Sequence, residues 1–160
     1  MPVHSLPLNN PLLPMATADR ETLIDGLNTD LAHEYQAILM YNSYAAMVYG
    51  MHRPTLKQFF ESELPEELTH AQLLADKITA LGGTPITEPA PIELQTEPKA
   101  MLKQVLDAEA TTIDRYVERR EQAEAAKEYG LATELDDIIR DETEHKEETE
   151  KLLRDLRQKR

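Results

Sequence analysis

The sequence predicts an all-α fold, a four-helix bundle with one long crossover between the second and third helices. Three observations predict it. Leu, Ala, Glu, Lys, Arg and Gln dominate a chain of 160 residues with five glycines and no cysteine, a composition that favours helix and excludes disulfides and thiolate chemistry. Apolar residues recur at steps of three and four through four stretches, the period of a helix with one buried face. Two short turns and one proline-rich connection of 14 residues separate these stretches, which suits two antiparallel hairpins joined along the length of the bundle. At roughly 3.3 Å per extended residue that connection spans about 45 Å, the length of a helix of about 30 residues.

Residues 1–18 are expected to form an extended arm. Pro2, Pro7, Pro11 and Pro14 oppose helix, and no Lys or Arg precedes Arg20, so the stretch lacks the charged start of a secretory signal. The bundle is expected over 19–160. Its first helix carries Ile24, Leu27, Leu31, Glu34, Ile38, Tyr41, Ala45 and Val48 on one face and ends near Tyr49-Gly50. The second starts at Arg53-Pro54, repeats the pattern through Phe60, Leu64, Glu67, Ala71, Leu74, Ile78 and Leu81, and stops at Gly82-Gly83. Pro65 removes a backbone hydrogen bond and is expected to kink this helix or split it in two. Residues 84–97 contain Pro85, Pro89 and Pro91 and form the crossover. Thr96 is the expected N-cap of the third helix, with Pro98 in its first turn. That helix runs through Leu102, Leu106, Glu109, Ile113 and Tyr116 to a stop at Glu128-Tyr129-Gly130. The fourth runs through Leu131, Leu135, Ile138, Glu142, His145, Thr149, Leu152 and Leu156 and ends on cationic residues that suit its macrodipole.

Each apolar face is interrupted near its middle by a carboxylate. One such residue ordinarily snorkels or pairs with a surface cation. Four at matched depth are different, because an unpaired buried carboxylate is very costly. No position on these faces close to the four offers Lys or Arg; Arg120 lies three turns beyond Glu109. Compensation must then come from an external cation. The spacing sharpens this. Glu34 to Glu67 and Glu109 to Glu142 are both 33 residues, and each second member is followed at +3 by a histidine, His70 and His145. An offset of 75 carries Glu34, Tyr41, Glu67 and His70 onto Glu109, Tyr116, Glu142 and His145. Two hairpins related by a pseudo-two-fold axis follow. Glu and His at i and i+3 share a face. Four carboxylates and two imidazoles balance two divalent ions, and an oxygen–nitrogen donor set without sulfur suits iron or manganese better than structural zinc. This donor pattern is one already described for dinuclear carboxylate bundles in general.

At LNTDLAHEYQAILMY (27–41), EELTHA (66–71), LDAE (106–109) and RDETEH (140–145) the chain resembles the ferritin-like superfamily, most closely its bacterioferritin branch, over about residues 20–156. The resemblance implies two iron ions per chain, with manganese as the other candidate. Glu34 and His70 would be terminal ligands of one, Glu109 and His145 of the other, and Glu67 and Glu142 would bridge. It also implies ferroxidase activity, the oxidation of Fe(II) by O2 or H2O2, and storage of the ferric product inside a homo-oligomeric cage. Three departures qualify it. Leu68 stands where haem-binding members carry methionine, so haem is not expected. The sequence ends soon after the fourth helix, so the short fifth helix of large shells is not expected. Thr112 stands where rubrerythrins carry a further glutamate.

Tyr41 and Tyr116 lie two turns from their glutamates on the same face, and either orient a terminal carboxylate of the other half, supply an electron, or simply pack. Asp141 and Glu66 precede the bridging glutamates and are candidates to hold a histidine. His33 points about 100° away from Glu34 and is not expected to ligate. Met40, Met47 and Met51 are expected in packing or interfaces, and Glu144, Glu147, Glu148 and Glu150 on a solvated face. The net charge of −13 opposes nucleic-acid binding and suits attraction of cations. No apolar run reaches the 18–20 residues of a membrane span, and a cytoplasmic location is expected. Two other functions compete with storage: a di-iron or di-manganese peroxidase of rubrerythrin type, and a Dps-like stress-protection assembly.

Overall fold

The computed structural model describes residues 17–158, with side chains over 19–156; the expected arm lies outside these except for its last two residues, which open the first helix. Four helices carry the chain: α1 Thr17–Met47, α2 Arg53–Ala80, α3 Pro98–Ala125 and α4 Tyr129–Gln158. α1 packs on α2 and α3 on α4 as hairpins with short turns. The hairpins meet antiparallel. The α1–α3 side-chain pairs Asp30–Arg119, Glu34–Tyr116, Tyr41–Glu109 and Tyr44–Gln104 have residue numbers that add to 148–150, as antiparallel register requires. The fold is all-α, a four-helix bundle with one long crossover between α2 and α3. Among the described residues no helix is long and apolar enough to cross a membrane.

The crossover is fastened to the outside of α1. Asn28 donates to the Thr84 carbonyl at 3.2 Å and accepts the Ile86 N–H at 2.8 Å. The Ala32 carbonyl accepts the Ala90 N–H at 2.8 Å, and Gln36 donates to the Pro91 carbonyl. These three positions are four residues apart, so one stripe of α1 supplies the polar partners that a proline-rich strand cannot find within itself.

Three local expectations are corrected. α2 runs unbroken through Pro65. Pro65 and Glu61, whose carbonyl loses its partner, both lie on the exposed side, where water can replace the lost bond. Glu97, with extended backbone, caps α3 in place of Thr96, and Pro98 occupies the first helical turn. The Glu97 carboxylate is engaged by the Tyr49 hydroxyl at 2.5 Å and makes no side-chain cap. α3 ends before the expected Glu128-Tyr129-Gly130 stop, at Ala125. Lys127 takes the left-handed conformation at φ 62°, and the Glu128 N–H reaches back to the Ala123 carbonyl at 2.8 Å, a closure usually built on glycine. Tyr129 and Gly130 belong to α4.

The core is in two parts. One apolar cluster contains Leu23, Leu27, Leu31, Leu74, Ile78 and Leu135; the other contains Tyr44, Val48, Phe60, Met101, Leu102 and Leu153. Each draws on all four helices. Between them lies a layer of buried carboxylates and histidines.

Candidate metal centre

The polar layer is formed by Glu34, Glu67, His70, Glu109, Glu142 and His145, all at most 7% exposed. Each projects from mid-helix, one face-inward position per turn, which is why the apolar period carries them inside. Their donor atoms fall into two groups, Glu34–Glu67–His70–Glu142 and Glu67–Glu109–Glu142–His145, each with its ligand atoms within 4.8 Å of one another. Glu67 and Glu142 belong to both. His70 Nδ1 lies 3.0 Å from Glu142 Oε1 and 3.7 Å from Glu34 Oε2; His145 Nδ1 lies 3.6 Å from Glu142 Oε2 and 3.7 Å from Glu67 Oε1. Close as these atoms are, Glu34 Oε2, Glu67 Oε1, Glu142 Oε1 and both Nδ1 atoms lack a hydrogen-bond partner. Buried polar atoms are ordinarily satisfied. Five that converge on one space fit a site built for cations.

The groups around the six are fixed by hydrogen bonds across the bundle. Tyr41 donates to Glu109 Oε1 and Tyr116 to Glu34 Oε1, so each phenol does reach the carboxylate of the other half. Burial, with carboxylates alongside, raises both phenols well above their ordinary range, so they stay protonated and donate. On the outer side of the imidazoles, His70 Nε2 is 3.4 Å from Asp141 Oδ2, and His145 Nε2 is 2.9 Å from Glu66 Oε2. With its Nε2 proton held there, each ring turns Nδ1 inward, so that the proton a cation would displace is the one on Nδ1.

A sequence model of the ferritin-like domain matches residues 24–159. The chain belongs to the ferritin-like domain family. A solved structure of ferritin-like, diiron-carboxylate proteins from Bacillus anthracis str. Ames is 47% identical, aligns over 86% of this chain and 99% of its own, and superposes with a TM-score of 0.84. The dodecameric thioferritin of Bacteroides fragilis, a bacterioferritin-related protein, is 28% identical over 86% of this chain and 87% of its own, with a TM-score of 0.79. Dps from Thermosynechococcus elongatus shares the fold at 21% identity, over 86% of this chain and 93% of its own, with a TM-score of 0.81. No curated protein matches by sequence.

In this ferritin-like chain the metal-free centre retains its charge balance by holding protons. Burial opposes a charge on His70, but Glu142 and Glu34 outweigh it and push its pKa up to about 10; at His145, Glu142 and Glu63 push it up to about 11. Burial raises Glu67 and Glu109 well above the carboxylate range, and Glu142 adds to both shifts. Burial also acts to raise Glu142, yet Glu109 and the two histidines hold it below the ordinary range. Glu67 and Glu109 thus hold protons beside an ionised Glu142.

A cavity of about 260 Å³ opens between α1 and α3 and reaches Glu34, Glu67, Glu109 and Glu142; His33, Gln36, Thr112 and Arg115 are among its other lining residues. His33 is no member of either donor group, and its Nδ1 bonds the Thr29 carbonyl at 2.9 Å. Met40 is buried in the core, whereas Met47 and Met51 are exposed. Leu68 is half-exposed on α2. Glu144, Glu147 and Glu148 face solvent.

Sequence reasoning missed two features. Glu63 is buried and its Oε2 lies 2.8 Å from His145 Nε2. It stands one turn before Glu67 on the same face, a signal masked by the acidic run around it. The second is a buried ion pair: Arg119 Nε donates to Asp30 Oδ2 at 2.8 Å, with Arg115 Nε 3.7 Å from Asp30 Oδ1. The inward cation of α3 is therefore Arg119, while Arg120 pairs at the surface with Asp136 and Glu124. Asp30 stands one turn before Glu34 and Arg119 one turn after Tyr116. Arg119 is committed to Asp30, so among the described residues no arginine pairs with the four glutamates.

Proposed function

We propose that this ferritin-like protein is a ferroxidase that stores iron: it oxidises Fe(II) to Fe(III) at an intrasubunit di-iron centre and holds the product within a homo-oligomeric cage. The observation that carries the reading is the pair of donor groups that share Glu67 and Glu142. Glu34 with His70 and Glu109 with His145 are the terminal ligands, and Glu67 and Glu142 lie between the two metal positions. Two Fe(II) ions held there would supply two electrons, which with two protons reduce O2 to H2O2 or H2O2 to two waters. The chain's own residues prepare that step. Tyr41 and Tyr116 fix the terminal carboxylates. Asp141 and Glu66 hold the imidazoles in the tautomer that ligates. The cavity between α1 and α3 offers a path from solvent to the carboxylates. Six ligands across two ions leave coordination positions open, as a catalytic site requires and a structural one does not. The dodecameric relative from Bacteroides fragilis supports a closed cage.

The test is iron loading in air. Many equivalents of Fe(II) per chain are added, free iron is removed, and the iron that co-elutes with the assembled protein is counted. Iron far above two per chain is expected. Saturation near two would replace storage with the peroxidase or oxidase reading. The Glu67→Ala/Glu142→Ala variant is expected to lose oxidation at two irons per chain by about 100-fold or more, since outer partners of ligands alone account for 10–100-fold. An unchanged rate would refute the centre.

A further inference from the structure

We propose that the two metal positions are inequivalent, that the one held by Glu109 and His145 fills before the one held by Glu34 and His70, and that Glu63 sets this order. The proposal rests on the ligand assignment above and asks what lies beyond it.

The offset of 75 relates every group that touches the metal positions, and it relates Tyr41 to Tyr116 and Glu66 to Asp141. One layer further out it fails in two places. The twin of Glu63 is Ile138. His145 Nε2 therefore meets two carboxylate oxygens, Glu63 at 2.8 Å and Glu66 at 2.9 Å, while His70 Nε2 has Asp141 alone at 3.4 Å. A carboxylate on the outer N–H of a ligating imidazole fixes its orientation and strengthens it as a donor, and loss of such a partner typically costs 10–100-fold in metal affinity. Glu66 takes the Nε2 hydrogen bond, and Glu63, buried where Glu66 is exposed, adds a second carboxylate oxygen whose charge solvent screens less.

The second failure lies on the opposite side. The twins of Asp30, Arg115 and Arg119 are Val105, Met40 and Tyr44. Beside Glu34, two guanidinium groups reach from α3 to the one carboxylate of Asp30, and the twin positions beside Glu109 hold no charged residue. An approaching cation meets more positive charge near Glu34 than near Glu109 and extra negative charge near His145, so both differences favour the same position. Glu63 contacts the ring of His145 and belongs to neither donor group; it acts as a positioning residue.

The experiment uses metal-free crystals of the full chain, soaked without oxygen in one equivalent of Co(II) per chain. Anomalous difference density then gives the occupancy of each position separately. The native protein is expected to favour the Glu109–His145 position by roughly tenfold, and Glu63→Gln, which keeps shape but removes the charge, to bring the two occupancies close to equal. Equal occupancy in the native chain, preference for the Glu34–His70 position, or an unchanged preference in Glu63→Gln would each overturn the proposal. Density at neither position would overturn the ligand assignment instead, which separates the two failures. If Glu63→Gln does not fold, the native occupancy ratio still decides the order of filling.

Discussion

Tyr41 and Tyr116 show how much a single hydroxyl does in a layer of this kind. Each donates to a carboxylate that is buried and surrounded by others of its sign. Removing the donor leaves an acceptor with less to stabilise it and a ligand less well aimed. Tyr41→Phe and Tyr116→Phe should each weaken Co(II) binding by about tenfold, read from an anaerobic spectroscopic titration. Unaltered affinity in both would leave the phenols as packing groups. The six residues of the polar layer were legible in the sequence because they are the wrong residues for an apolar face and because they recur at one offset. Glu63 was not. In ESELPEEL four acids lie within seven residues, and only the neighbouring helix shows that Glu63 turns inward along with Glu67.

At the level of the helix, the ion pair between α1 and α3 explains a glycine in mid-helix. Gly26 costs about 1 kcal/mol relative to alanine in a helix interior. A Cβ at that position would come within 1.8 Å of Arg119 Nη1, so the guanidinium packs where a side chain would stand. Breaking a buried pair by removing one member typically costs 3–5 kcal/mol, because the other charge stays behind. Arg119→Met should therefore lower stability by about 3 kcal/mol in urea unfolding, Arg115 retaining part of the compensation. Asp30→Asn/Arg119→Met should recover most of the loss. If the double variant were no better than the single one, the charge left on Asp30 would not be the cause. The turn after α3 gives the converse case. Lys127 holds a left-handed conformation that glycine adopts freely, and Lys127→Gly should raise stability by about 1 kcal/mol in the same assay. Neither feature was readable from one helix. Arg119 adjoins the exposed Arg120, and hydrophobic period alone cannot say which of two adjacent arginines is inside. The helices themselves were legible, since each carries a helical period over about four to seven turns.

For the whole molecule, the polar layer couples stability to protons and metal. In the metal-free chain His70 and His145 keep their protons up to about 10 and about 11, against an ordinary 6.5. Glu67 and Glu109 keep theirs above the ordinary 4.5. In all four the folded chain binds more protons than the unfolded one, so stability falls as pH rises. The histidine contribution is present below 6.5 and is lost on the way to about 10–11. Glu142 works in the opposite sense, and its contribution is lost only in acid, as pH falls through its lowered value. Thermal melts of the metal-free protein should drop between pH 6.5 and 10, and Co(II) should flatten that slope, because metal replaces the protons it displaces. A metal-free melting temperature that stayed level or rose over this range would mean that the histidines enter the fold uncharged.

The crossover is the one described segment with no counterpart in the other half. Two separate copies of the first hairpin would present Glu34, Glu67 and His70 twice, a full donor set, but any change in one copy would appear in both. Joining the halves end to end lifts that constraint. One half keeps Glu63 where the other has Ile138, and one keeps Asp30 where the other has Val105. The covalent link along α1 is thus what allows a two-fold nest of donors to become lopsided.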